Sequence, residues 1–169
     1  RSRVLVSLGS CACFGGVSRL KNECDLEEAN RLVYGDHPKS TAMVRPVHEL
    51  VEVDLEIPGC PVSKAEVERV VQHLLWQVPY HFPASPVCVE CKQRFTSCVF
   101  ERGVLCLGPI TRGGCDAPCP AAGIGCWGCR GPARDPNLPE LLDIARQRGF
   151  SDAEVAERLS FFGGFEGLR

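Results

Sequence analysis

Long apolar runs are missing from this chain of 169 residues. The longest fall far short of the roughly 20 apolar residues that carry a helix across a bilayer, so no membrane span is expected. An excess of basic charge is missing as well. Lys and Arg number 19 against 21 Asp and Glu, for a formal charge of −2, and a mixed surface of this kind argues against nucleic acid as the main partner. There is no internal repeat and no coiled-coil pattern. Histidine is sparse, and His37, His48, His73 and His81 show no ligand spacing to one another; they read as surface or helix-face residues. The first residue is Arg1 rather than methionine, and RSRVLVSLG runs directly into an apolar strand pattern. We expect an upstream segment to precede it.

Cysteine is what the chain has in abundance. There are 12, and with 44% hydrophobic residues a core of ordinary size forms without covalent staples. Eight of them fall between Cys88 and Cys129, as CVEC at 88–91, then Cys98, Cys106, Cys115 and Cys119, and CWGC at 126–129. That is two complete sets of four thiolates, set among glycines and prolines that make tight loops. Iron–sulfur clusters are the first expectation, because a cubane takes four thiolates and needs loops that wrap it and aim backbone amides at its sulfurs. Two structural zinc sites of four thiolates each are the main rival, since CxxC pairs also suit tetrahedral zinc. Disulfides are a weaker one.

Secondary structure is legible in places. Val4 to Leu8 reads as a buried strand opening into GSCACFGG, and VEVDLEI at 51–57 reads as a second strand opening into PGCP. Each strand stops at a cysteine, and loops at the carboxyl ends of neighbouring parallel strands meet in one crevice, so Cys11 and Cys60 are expected to lie together. Ser63 and Glu66 form a capping-box pattern before Val67, Val70, Val71, Leu74 and Leu75, which recur at helical spacing to about Gln77. A further helix over 25–34 is capped by Asp25. Periodicity then disappears from Pro79 to Pro136. It returns at 139–148, with Leu141, Leu142 and Ala145 facing inward and Gly149 as the stop. A last helix starts at Ser151, which pairs with Glu154 in a capping box and aligns Val155, Leu159 and Phe162. The predicted fold is therefore α/β, a partial flavodoxin-like parallel sheet over residues 1–80, followed over 81–169 by a loop-rich, cysteine-rich iron–sulfur domain with short helices.

Taken together, GSCACFGG, DLEIPGCPVSK, CLGPITRGGC and CWGCRGP resemble the small, electron-transferring subunit of cytoplasmic nickel–iron hydrogenases that feed soluble acceptors. The resemblance spans nearly the whole chain. The first two motifs are also similar to the cluster-bearing small subunit of respiratory complex I, which has a single cluster and no eight-cysteine extension. The resemblance implies a cytoplasmic relay of electrons through [4Fe-4S] clusters, between a nickel–iron large subunit and an acceptor subunit carrying flavin or further iron–sulfur groups. The chain itself lacks the paired CxxC ligands of a nickel–iron centre and performs no bond chemistry alone. Alternatives are a related oxidoreductase without nickel and a structural zinc-binding module.

The resemblance also implies ligand sets. Cys11 and Cys60 match two ligands of a proximal cluster, whose other two come from an N-terminal cysteine pair that does not precede Cys11 here. Cys88, Cys91, Cys98 and Cys106 correspond to a distal group. Periplasmic relatives carry histidine where Cys88 stands, and the added thiolate charge should lower the cluster potential. Cys115, Cys119, Cys126 and Cys129 correspond to a medial group, although two-cluster ferredoxins exchange ligands between cysteine runs and the division could be crossed. Cys13 and Cys24 read as packing or spectator thiols. Lys92, Arg94, Arg102, Arg112 and Arg130 lie among the cluster cysteines, where they offset cluster charge, meet a partner or form a solvated basic face.

Overall fold

The structure is a computed structural model that describes residues 3–37 and 39–168. The two strand-and-cysteine patterns pair as anticipated. Strand β1 (Val6–Leu8) and strand β2 (Leu55–Ile57) run parallel, with Val6 opposite Leu55 and Leu8 opposite Ile57. They form a two-stranded sheet. The expected strand over 51–57 is shorter than its pattern because β1 presents only three residues to pair with. Val51 stays exposed, and Asp54 ends the ladder by accepting the Leu5 amide on its carboxylate at 2.7 Å.

Helix ends follow local chemistry. Helix α1 (Ser10–Phe14) begins straight after Gly9. Helix α2 (Leu26–Tyr34) is capped by Asp25, whose side chain accepts the amides of Glu27 and Glu28. In helix α3 (Lys64–Trp76) Ser63 accepts the Glu66 amide, but the capping box is only half made. Glu66 turns inward and is buried, because a guanidinium waits there. The apolar residues of α3 also divide. Val70 is buried, whereas Val71, Leu74, Leu75 and Trp76 are exposed.

The stretch from Pro79 to Pro136 holds more helix than its sequence announces. Helix α4 (Val87–Gln93) carries the CVEC motif, and helix α5 (Pro118–Ala121) carries Cys119. Four- and seven-residue helices are too short for periodicity to declare them. Helices α6 (Leu138–Gln147) and α7 (Asp152–Ser160) close the chain. Leu141, Ala145, Val155, Leu159 and Phe162 are buried as predicted, and Ser151 and Glu154 make both halves of their capping box. Asn137 caps α6, a role its sequence pattern did not announce.

The main hydrophobic core is built from residues 87–165: Val87, Val99, Phe100, Leu105, Leu107, Ile110, Leu141, Val155 and Phe165 pack together with Cys106 and Cys126 among them. The cysteine-rich segment is thus the centre of the molecule. The segment that follows β1 attaches to it, with Ser10 Oγ donating to the Cys129 carbonyl at 2.5 Å, Arg19 paired with Glu166 at 2.5 Å and the Phe14 ring against Gly131 and Gly164. Among the described residues no helix is long and apolar enough to cross a membrane.

Candidate metal centre

The eight clustered cysteines sort into two cavities. One, of about 210 Å³, is lined by Cys88, Cys91, Cys98 and Cys106. The other, of about 310 Å³, is lined by Cys115, Cys119, Cys126 and Cys129, with Cys60 at the same wall. Val87 and Pro120 line both, so the partition between them is about one side chain thick. Each cavity thus takes four of the eight clustered cysteines, and Cys60 adds a fifth thiol to the larger of the two.

Local backbone explains how the sulfurs converge. Cys88 and Cys91 sit one turn apart on α4, which puts them on one face of the helix. Gly108 brings two strands of the cavity wall together: a Cβ there would stand 3.2 Å from Cys106 Sγ and 3.3 Å from Cys88 Sγ. In its place the Gly108 amide donates to Cys106 Sγ at 3.4 Å. The same sulfur accepts the Cys126 amide at 3.2 Å, a direct hydrogen bond between the two sets of cysteines. Cys126 Sγ in turn accepts the Gly128 amide at 3.5 Å.

The thiols are held in a low dielectric. Burial, followed by repulsion from the thiols of Cys106, Cys91 and Cys98, pushes Cys88 up to about 12. Burial likewise pushes Cys115 up to about 11 and raises Cys106, Cys126 and Cys129. Four thiolates cannot share such a space without a compensating positive charge. Among the described residues no three His, Cys, Asp or Glu side chains are grouped as they would be around a single metal ion.

The strand-end cysteines are partly reunited. Gly9 donates to the Ile57 carbonyl at 2.8 Å and Ser10 to that of Gly59 at 3.0 Å, so the two loops lie side by side. Cys11 and Cys60 are both exposed. Cys60 faces the larger cavity, whose lining does not include Cys11. Cys13 is fully buried, its thiol donating to the Ser7 carbonyl at 3.6 Å, and Cys24 is exposed. His37, His48 and His81 lie at the surface, while His73 meets the Pro79 carbonyl and the edge of Tyr80.

The basic residues do not form one face. Lys92, Arg94 and Arg102 are exposed, with Arg94 paired to Asp116. Arg112 is half-buried against the Phe82 ring. Arg130 is 1% exposed and bonded at every nitrogen, which corrects its reading as a solvated or partner-facing residue. A guanidinium enters a core only when all its donors are met, and spacing along the sequence carries no sign of that.

Sequence reasoning also missed Glu90, which lies inside CVEC. Its carboxylate accepts the amides of Gly114 at 2.5 Å and Asp116 at 2.9 Å, so a residue between two cysteines of one cavity fixes the Cys115 loop of the other. Trp127, inside CWGC, lies under the Arg158 guanidinium at 3.8 Å, and Arg158 donates to the Leu105 carbonyl at 2.6 Å. A polar residue enclosed by a CxxC motif was the available signal for Glu90.

Residues 1–74 match the family described as NADH ubiquinone oxidoreductase, 20 Kd subunit. The sulfhydrogenase 2 subunit delta of Pyrococcus furiosus is 39% identical over 165 residues, covering 96% of this chain and 68% of that protein. A subunit of the F420-non-reducing hydrogenase of Methanocaldococcus jannaschii is 30% identical over 199 residues, covering 98% of this chain and 69% of its own length. A crystal structure of an NAD+-reducing [NiFe]-hydrogenase in the H2-reduced state is 29% identical over 48% of this chain and 54% of that one, with a TM-score of 0.43, a likeness too loose to place residues by. The identities over nearly the full chain make the conclusion plain: this chain belongs to the family of hydrogenase subunits that includes the sulfhydrogenase delta chain and its F420-non-reducing counterparts.

Proposed function

We propose that this chain is the electron-transfer subunit of a cytoplasmic nickel–iron hydrogenase complex, with one [4Fe-4S] cluster at Cys88, Cys91, Cys98 and Cys106 and another at Cys115, Cys119, Cys126 and Cys129. The observation that carries this reading is the sorting of eight thiols into two cavities that share a wall. The donor set fits the group. Four thiolates lining each cavity, with backbone amides aimed at sulfur, are the donor set that a cubane takes. Bound clusters would supply one-electron carriers poised between a hydrogen-splitting partner and an acceptor.

The residues of the chain do the rest. Glu90 and Gly108 hold the cysteine loops at fixed separation, and the amides on Cys106 and Cys126 stabilise the charge that sulfur carries, a lever on potential. Cys11 and Cys60, on adjoining loops, would hold a third, proximal cluster if two more thiolates are supplied. That edge would meet the large subunit, and the 88–106 cavity would face the flavin or iron–sulfur acceptor subunit.

Anaerobic isolation of the complex tests the proposal. About eight irons with matching acid-labile sulfide for the two sites, broad visible absorption and a paramagnetic signal on reduction are expected. A colourless protein containing zinc would sink it in favour of a structural module. Iron and sulfide without nickel in the copurifying large subunit would point to a related oxidoreductase.

A further inference from the structure

Arg130 and Glu66 form the only ion pair among the described residues in which both side chains are buried, at 1% and 0% exposure. The contact is bidentate. Nη1 and Nη2 of Arg130 each donate to one oxygen of Glu66 at 2.7 Å. Nη1 also donates to the Pro58 carbonyl at 2.9 Å, and Nε to the carbonyls of Gly113 at 2.8 Å and Arg112 at 3.2 Å. Those carbonyls are not scattered. Pro58 precedes Cys60 by two residues, Gly113 precedes Cys115 by two, and Arg130 itself follows Cys129. Gly114 admits the pair: a Cβ there would stand 2.6 Å from Glu66 Oε1 and would overlap the Arg130 guanidinium, at a φ of +110°.

A buried ion pair is a weak stabiliser, because desolvation offsets most of the attraction. Its reach is a better account of it. We infer that the Arg130–Glu66 pair is a positioning device for the group held by Cys115, Cys119, Cys126 and Cys129: it locks the Cys60 loop against that site, and Glu66 neutralises a guanidinium charge that would otherwise act on it. The inference rests on the cluster reading above. Arg130 lines the larger cavity while Glu66 does not; with every Arg130 nitrogen bonded to Glu66 or to a backbone carbonyl, the pair acts through the three cysteine loops it ties. A guanidinium does not give up its proton, so removing the Glu66 charge leaves a fixed positive charge beside the site, which favours the added electron.

The experiment is a redox titration of the anaerobically isolated complex, followed by electron paramagnetic resonance, with the two signals assigned through Cys88→Ser and Cys126→Ser. In Glu66→Gln the midpoint potential of the Cys115-site signal should rise while that of the Cys88-site signal holds. The double variant Glu66→Leu/Arg130→Met replaces the pair by apolar volume and removes both charges. It should retain iron and sulfide, bring the potential back toward the native value and alter the line shape of the Cys115-site signal as the loop restraint is lost. If Glu66→Gln does not accumulate, the double variant decides alone. An unchanged line shape of the Cys115-site signal in the double variant, or equal shifts of both signals in Glu66→Gln, would overturn the inference. Native protein lacking iron and sulfide would instead reject the cluster reading itself.

Discussion

Cys13 and Cys24 carry the same side chain in opposite surroundings. Cys13 is fully buried and its thiol is pushed up to about 12, mainly by burial and then by the nearby Glu56 charge, while Cys24 is exposed. Thiolate, not thiol, reacts. With iodoacetamide at pH 8, Cys24 should be alkylated in the native protein and Cys13 at least about a hundredfold more slowly until unfolding, as read by peptide mass spectrometry. Fast native labelling of Cys13 would contradict its placement. Cys126, buried between the two cavities, offers a sharper test. Cys126→Ser should remove about four irons, one cubane's complement, and leave the signal of the Cys88 site; loss of both would mean that the sites assemble as a unit. Single residues of this kind were partly readable in advance, since a cysteine in a CxxC motif announces itself. Glu90 and Arg130 were not, because their roles are set by carbonyls and amides far along the chain.

Elements behave more locally. The capping box at the head of α7 joins Ser151 and Glu154 through side-chain and backbone bonds, and Ser151→Ala should cost about 1 kcal/mol in chemical denaturation. The same bonds hold the Glu154 carboxyl below its ordinary range, first through the Ser151 amide and then its hydroxyl. Arg146 does likewise for Asp152. Groups lowered in the folded state stabilise it above their unfolded pKa, so this contribution is present at neutral pH and fades as pH falls through the acidic range. Ser151→Ala should flatten that acid limb. At the junction of α6 with the core, Leu141 is fully buried, and Leu141→Ala should cost about 3 kcal/mol with iron content unchanged. The caps of α2 and α7 and the apolar faces of α6 and α7 were legible because they are written within one or two turns; the Asn137 cap of α6 was not. Helix α3 was legible as a helix, yet three of the five residues of its apolar stripe lie exposed, since periodicity says which residues share a face and not what covers it.

At the scale of the molecule, the core and the two cysteine-lined cavities are one structure. Cys106 and Cys126 belong to the main hydrophobic cluster, and the segment between them is pinned by Leu107, Ile110 and Thr111 backbone bonds rather than by a sheet. Stripping iron with a chelator under reducing conditions should therefore lower the thermal midpoint and speed amide exchange at Leu107, Ile110 and Thr111, because thiols sharing each cavity lose the charge that holds them together. An unchanged midpoint after complete iron removal would show the fold to be independent of its cofactors.

What the sequence determined alone is chemistry written over short distances: the Asp25 and Ser151 helix caps and the strand that ends at each cysteine loop. Each depends on neighbours within a turn or a loop, so spacing records it. Only the tertiary structure decided that Cys60 faces the larger cavity while Cys11 does not line it, and that Arg130 is buried against Glu66 and Pro58, 64 and 72 residues away. Those outcomes turn on which distant segments bring their carbonyls and carboxylates to a common point. A buried charge is tolerated only where such partners meet.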